Sequence, residues 1–533
     1  MKKYILIVII LSAAILRLYK LSSVPPSLYW DEVSLGYNAY SILTTGHDEH
    51  GKFFPITNFA AFGDYKPPGY IYAAVPSIAA FGLNEFAVRF PSAFFGVLTV
   101  LISYFLARKL FANQHIALLT AFFMAISPWH LQFSRGAFEA NLGLFFSTLA
   151  IYLFIKFTKD DPKWLFLSGL SFLVAMYTFT GQRLFVPLII LILLFQFKKQ
   201  LITNFKIALL TAIIFLVLLK PLYIFATQTL EGRLRFEEVN IFRDLEPSDT
   251  STRYRNQDKF AWWSQIIHNR RLLYAHQYLI HYLDAFNPSF LFFHGDVNPR
   301  LSIGEVGELY QFDLILILAG IYFLFSKKHQ YRWLIIGWLL VSPMGSATAR
   351  ETPHALRMIH IIPAFQLISA YGIYTIFQRI KYKRFFILAS AVIILTSIFN
   401  YLHIYYLHWP KIHSGSWQYG YKQAVQIAKE YYNQVDRIIV TKSLGRPYIY
   451  FLFYLQFNPD DYLKTAKITR DQFYFINVDG FDKFLFVDNP NEVPQSGKTL
   501  YIVNPTQFPQ NIQKITTVSQ LDNKPVFDIG ITK

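Results

Sequence analysis

The chain has 533 residues, 53% of them hydrophobic, 18% aromatic and only 16% charged, where an average soluble domain carries ~25% charged residues. That deficit puts much of the chain in lipid. The net charge of +17 is read as membrane orientation and not as nucleic-acid binding, because Lys and Arg sit in short loops between apolar runs. With no cysteine, a disulfide framework, a thiol nucleophile and a thiolate metal site are excluded.

The N-terminal MKKYILIVIILSAAILRLYK has the basic start and apolar core of a signal peptide, but Leu18, Tyr19 and Lys20 stand where small residues would mark cleavage. It is read as an uncleaved first transmembrane helix with Lys2 and Lys3 in the cytoplasm. Apolar runs of bilayer-crossing length fall at 4–21, 86–107, 116–133, 141–157, 164–180, 184–197, 207–226, 312–326, 332–349, 358–377 and 384–407. The fifth and sixth are split at TFTGQR (178–183). The expectation is a mostly α polytopic membrane protein with about eleven transmembrane helices. The loops ARKLFANQH (107–115), FTKDDPK (157–163), KKQLITNFK (198–206), SKKHQ (326–330) and QRIKYKR (378–384) are short and basic, so they are cytoplasmic.

Segment 66–82 is apolar but short and interrupted by Pro76. Counting it as a span would place every later basic loop outside, so it is expected to lie in, or re-enter from, the outer interface. The outer face then carries a first loop at 22–85, a polar and aromatic loop at 227–311 and a tail from about 409. The tail has an amphipathic helix at 419–434 and strand-like runs at 437–442, 473–478, 483–488 and 499–504. The expected organisation is a transmembrane domain over 1–408 and an extracytoplasmic α/β domain over 409–533. No glycine-rich nucleotide loop is present, so the chemistry is sought on the outer face.

Acids are scarce, and two adjoin in YWDEVSLGY (29–37). Asp31 at the surface end of a span has two readings: a helix cap favoured by the helix dipole, or a general base. His47, Asp48, Glu49 and His50 offer donors for a divalent metal, with a solvated turn before Gly51 as the competing reading. No other cofactor is implied. Lys66 beside two prolines either snorkels or holds a lipid phosphate. Arg89 within a span is a functional candidate by default. Glu139, just after Arg135, either pairs with that arginine or faces a site. Arg350, His354 and Arg357 in ARETPHALRMIHIIP (349–363) suit a phosphate or anchor the interface. Cations at an outer cleft with one or two acids fit transfer from a lipid-phosphate sugar: phosphate leaves without protonation, cations stabilise it, and one carboxylate takes the acceptor proton, with inversion. This differs from glycoside hydrolysis, which shares the work between two carboxyls. The competing class is a lipid-linked-sugar transporter.

WDE after the first helix, DYKPPGY, NEFAVRFPSAFFG and FSRGAFEANL together resemble the protein O-mannosyltransferase and aminoarabinose transferase superfamily of C-type integral-membrane glycosyltransferases, most clearly over about 25–145. The resemblance implies Asp31 as catalytic base, Glu32 as its support or as shaping the acceptor site, Lys66 as donor-phosphate ligand and Arg89 at the donor end. Glu139 stands where relatives often have Asp. No lectin insertion of the eukaryotic kind is seen in 227–311. The implied partners are a polyprenyl-phosphate-linked sugar, an acceptor protein, lipid or glycan, and the bilayer. The implied location is the plasma (inner) membrane with the tail outside.

Overall fold

The computed structural model describes residues 2–233, 240–471, 475–494 and 496–532. Helix occupies each of the eleven apolar segments, so the chain is mostly helical. Helices Glu85–Phe111, Glu139–Lys159, Phe205–Gln228, Ile359–Arg379 and Lys383–Ile412 are long and apolar enough to cross a membrane. The pair Gln114–Ile126 and Pro128–Arg135, bent by 55°, makes a sixth if counted as one span. Helices of 15 residues such as Trp164–Thr178 rise only ~22 Å against a ~30 Å hydrocarbon core, so eleven crossings is a reading of hydropathy.

Helix ends follow local chemistry. The first helix, α1 (Lys2–Leu18), precedes α2 (Trp30–Thr45), which ends at Gly46 with φ 75°, the left-handed position that favours glycine. The hairpin β1 (Phe59–Ala61) and β2 (Asp64–Lys66) leads through Pro67 into α3 (Pro68–Phe81). At 14 residues, α3 spans only ~21 Å, too short to cross. Next come α4 (Glu85–Phe111), α5 (Gln114–Ile126), α6 (Pro128–Arg135) and α7 (Glu139–Lys159). Asn113 caps α5 by accepting from His115 N–H at 2.8 Å. Pro128 has no N–H to continue α5. Arg17 donates instead to the carbonyls of Ala125 (3.1 Å) and Met124 (3.2 Å). A buried arginine in α1 thus satisfies carbonyls at the break between α5 and α6.

Two compact units emerge. The first comprises residues 1–17, 94–134 and 139–401 and holds most of the apolar helices. The second comprises 18–93, 135–138 and 402–533. The expected boundary at 408/409 therefore differs from the contact pattern, because the tail joins the first outer loop. Lys422 pairs with Glu85 at 2.6 Å, and Tyr37 Oη donates to Phe457 O at 3.0 Å. Gly36 allows this approach: a Cβ there would lie 2.5 Å from Val88 Cγ2 and 2.7 Å from Phe453 Cε2.

The tail carries one seven-stranded mixed sheet. In chain order its strands are β3 (Arg437–Thr441), β4 (Lys467–Arg470), β5 (Ile476–Phe481), β6 (Phe484–Val487), β7 (Thr499–Val503), β8 (Gln513–Ser519) and β9 (Pro525–Ile531). The spatial order is β4-β5-β6-β3-β7-β9-β8, with β3 parallel to both β6 and β7 and the other pairs antiparallel. The runs expected at 437–442, 483–488 and 499–504 form strands, as does part of 473–478, of which Phe473 and Tyr474 lie outside the described residues. Three strands were not expected: β4, β8 and β9.

Candidate active site

The second unit brings the first acidic motif to the lysine of the β-hairpin. Asp31 is the second residue of α2, and its Oδ1 lies 2.8 Å from Lys66 Nζ. Lys66 closes β2, and its Nζ is also 2.8 Å from Asp64 Oδ2. The Asp31 side chain keeps 24% exposure while Lys66 is nearly buried, so the carboxylate is reachable and the cation is held from below. Asp64 was not singled out from sequence. Its signal was its place two residues before Lys66 in DYK, where strand alternation puts both side chains on one face.

Glu32, one residue on, has a different task. Its Oε1 accepts from Arg89 Nε (2.9 Å) and Ala137 N–H (2.8 Å). Its Oε2 accepts from Arg89 Nη2 (2.9 Å) and Tyr29 N–H (3.3 Å). Arg89 Nη1 donates to Leu21 O (3.1 Å) and Pro25 O (2.8 Å), and Nη2 to Ser27 O (2.5 Å). All five guanidinium N–H groups are thereby used. Both side chains are fully buried. This corrects two expectations: Arg89 has no donor left for a phosphate, and Glu32 is a fully bonded structural anion, supporting Asp31 only through the start of α2.

Arg135 is also engaged, donating to Tyr19 O (2.7 Å), Val24 O (2.8 Å) and Tyr405 Oη (3.2 Å). Its guanidinium also lies over the Tyr405 and Tyr406 rings.

The motif His47–His50 does not assemble as a metal set, nor is it a solvated turn. His47 Nδ1 lies 2.9 Å from Thr45 O, and Asp48 Oδ1 accepts from His50 N–H and Lys52 N–H. Asp48 and Glu49 are buried. Among the described residues no group of three or more His, Cys, Asp or Glu side chains is arranged to hold an ion. Burial, opposed by the Asn38 amide and reinforced by Asp48, raises the Glu49 carboxyl from 4.5 to about 8. Burial, reinforced by Arg470, lowers His50 from 6.5 to about 4.

A pH profile follows from this pair. A raised carboxyl loses stability as pH climbs from its unfolded value, 4.5, to its folded value of about 8. A depressed imidazole gains stability as pH climbs from about 4 to 6.5. The two slopes cancel between 4.5 and 6.5, and the loss is uncompensated from 6.5 to about 8. At ~1.4 kcal/mol per unit that loss is about 2 kcal/mol. The unfolding midpoint of the purified protein should therefore be lower at pH 8.5 than at pH ~6.5, and Glu49→Gln should reduce that drop. An unchanged drop in the variant would show that Glu49 is not its source.

The first unit holds the remaining candidates. Glu139 is the first residue of α7, where its charge suits the helix N-terminus. In the loop before residue 359, Ala355 is gripped on both sides: its N–H donates to Asp296 Oδ2 (2.8 Å) and its C=O accepts from Trp129 Nε1 (3.1 Å). Thr352 Oγ1 donates to Asp284 Oδ2 at 2.8 Å. Loop 227–311 thus shapes this segment. Arg357 Nη1 donates to Glu351 O at 3.1 Å, while Arg350 is exposed. His354 was expected to add positive charge, but burial and the neighbouring Arg357 lower it to about 3, so it is neutral.

Comparison with known proteins supports the same family. Residues 65–225 match the family model described as dolichyl-phosphate-mannose-protein mannosyltransferase. An uncharacterized protein of Aquifex aeolicus (strain VF5) is 28% identical over 141 residues, 25% of this chain and 28% of that relative, so the match spans little of the relative's length. ArnT from Cupriavidus metallidurans superposes with TM-score 0.58 in the apo state, covering 99% of this chain and 97% of that chain at 10% identity. The same protein bound to undecaprenyl phosphate gives TM-score 0.56 at 11% identity. Residues 65–225 are thus similar to that mannosyltransferase family, and the chain shares the fold of ArnT over nearly its whole length.

Proposed function

We propose that this protein is a glycosyltransferase that moves a sugar, mannose or a related hexose, from a polyprenyl-phosphate carrier to an acceptor hydroxyl of a protein, lipid or glycan on the outer face of the plasma (inner) membrane. The short basic loops support an N-terminus in the cytoplasm and the sheet domain outside. The observation that carries the reading is the 2.8 Å contact of Asp31 with Lys66. Asp31 accepts the acceptor's proton as its oxygen bonds to the sugar carbon. The carbon–phosphate oxygen bond breaks on the opposite side, which gives inversion, and the departing phosphate needs a cation rather than a proton. Lys66 fits that cation: a donor phosphate competes with Asp31 for its ammonium, so donor arrival leaves the carboxylate more basic.

The test is sugar transfer by purified protein supplied with polyprenyl-phosphate sugars. Lys66→Ala should abolish donor saturation at concentrations that saturate wild type. A transporter would instead carry lipid-linked sugar across proteoliposomes without transferring it, and that result would overturn the enzyme reading.

Arg357 and Arg350, in the first unit, are proposed on their own as phosphate ligands. Losing one charged hydrogen bond costs ~1.5–3 kcal/mol, so Arg357→Met should raise the donor KM by roughly 10–150-fold with a smaller change in kcat. A loss of kcat in Arg357→Met with KM unmoved would assign this arginine to something other than donor binding.

A further inference from the structure

The helix Arg270–Asp284 is amphipathic in the reverse sense for a water-facing loop. Its polar and tyrosine face points inward. Tyr274 Oη donates to Asp244 O (2.7 Å), and Gln277 Nε2 to Asp244 Oδ2 (2.9 Å). Tyr278 Oη donates to Met344 O (3.2 Å) and Tyr282 Oη to Leu340 O (2.8 Å). Two tyrosines one turn apart thus reach two carbonyls one turn apart on the apolar helix Arg332–Ser346, so the helices run side by side and antiparallel. The opposite face, on which His276 is also exposed, presents Leu272, Leu279, Ile280 and Leu283, each 45–56% exposed. At 100° per residue these four lie within a third of the circumference. On the neighbouring helix Leu340 is also exposed.

The flanks match a lipid boundary. Just before the helix, Trp262, Ile266 and Ile267 are exposed, and Trp favours the headgroup level. Arg270 and Arg271 open the helix behind the Asn269 cap, with no acid in its first turn. Cations at a helix N-terminus oppose the dipole, so their placement calls for an external anion. They line a 430 Å³ recess with Phe242, Tyr274, Ala275 and Tyr278, apolar walls with two guanidinium groups.

We propose that Arg270–Asp284 is seated in the lipid bilayer, its leucine face against acyl chains and Arg270 and Arg271 on headgroup phosphates. Part of the 227–311 loop is then a membrane element and not a solvated connection. This holds independently of the sugar-transfer reading and, with the topology above, places it in the outer leaflet.

The chain has no cysteine, so single labels are clean. Leu279→Cys, Leu283→Cys and the control Asp249→Cys would carry an environment-sensitive fluorophore in full-length protein, one copy per phosphatidylcholine–phosphatidylglycerol nanodisc. Labels at 279 and 283 should be quenched severalfold more by acyl-brominated lipid than the control, and severalfold less by iodide. Adding Arg270→Gln and Arg271→Gln should raise iodide access at a Leu272→Cys label. Lipid quenching at 279 and 283 equal to the control overturns the proposal. So does shielding from both quenchers, which would place this face against protein.

Discussion

Asp31→Asn is expected to lower the rate of sugar transfer by about 10²–10⁴-fold, the usual worth of a positioned general base, while the protein stays folded. The geometry explains both halves. Asn keeps the shape and the place in the first turn of α2 but cannot take a proton. Lys66 retains Asp64 at 2.8 Å, so no buried cation is orphaned. The comparison with Asp64→Asn makes the assignment sharp. Both carboxylates contact the same ammonium at the same distance, yet only Asp31 is reached through α2. Asp64→Asn should mainly weaken Lys66 and raise the donor KM. If Asp64→Asn abolishes turnover and Asp31→Asn does not, the base is Asp64. If neither matters, the mechanism is wrong.

The second large effect is on folding. Glu32 and Arg89 form a bidentate pair with no exposure, tied to carbonyls of the segment between α1 and α2. Removing one partner of a buried pair costs ~3–5 kcal/mol, because the other charge stays behind. Glu32→Gln and Arg89→Met should each lower the unfolding midpoint strongly and reduce the folded yield on gel filtration. Arg89→Lys should be nearly as damaging, since an ammonium cannot reproduce five directed donors. The double variant Glu32→Gln with Arg89→Met should recover part of the loss. A donor-lining arginine would behave otherwise: its loss would move KM and leave the unfolding midpoint in place.

How legible was this in the amino-acid order? The helices were readable because apolar length in lipid is a strong local signal. The core strands β3, β6 and β7 were readable too, being apolar runs buried along most of β3, all of β7 and alternate positions of β6. The missed strands are edge or interrupted ones. In β4 every residue is exposed, β8 is mostly exposed, and β9 carries Pro525, Asp528 and Gly530. What makes them strands is a neighbour's backbone and not their own pattern.

The site divides the same way. Residue type and placement after a span marked Asp31, Lys66 and Arg89 as candidates, but composition cannot say whether an arginine's donors are already spent. Adjacent Asp31 and Glu32 looked like one acidic pair. Successive helix positions point about 100° apart, and that rotation sends Asp31 to Lys66 and Glu32 to the buried Arg89. Likewise His354 looks cationic in a loop of arginines, until burial strips its charge. Read alone, the chain pointed to a multi-pass membrane protein and singled out an acid and a lysine as candidates, because lipid sorts charge along the chain. The tertiary structure decided which acid faces which cation, since that rests on side-chain direction and desolvation, and on residues as far apart as Glu32 and Ala137 meeting at one carboxylate.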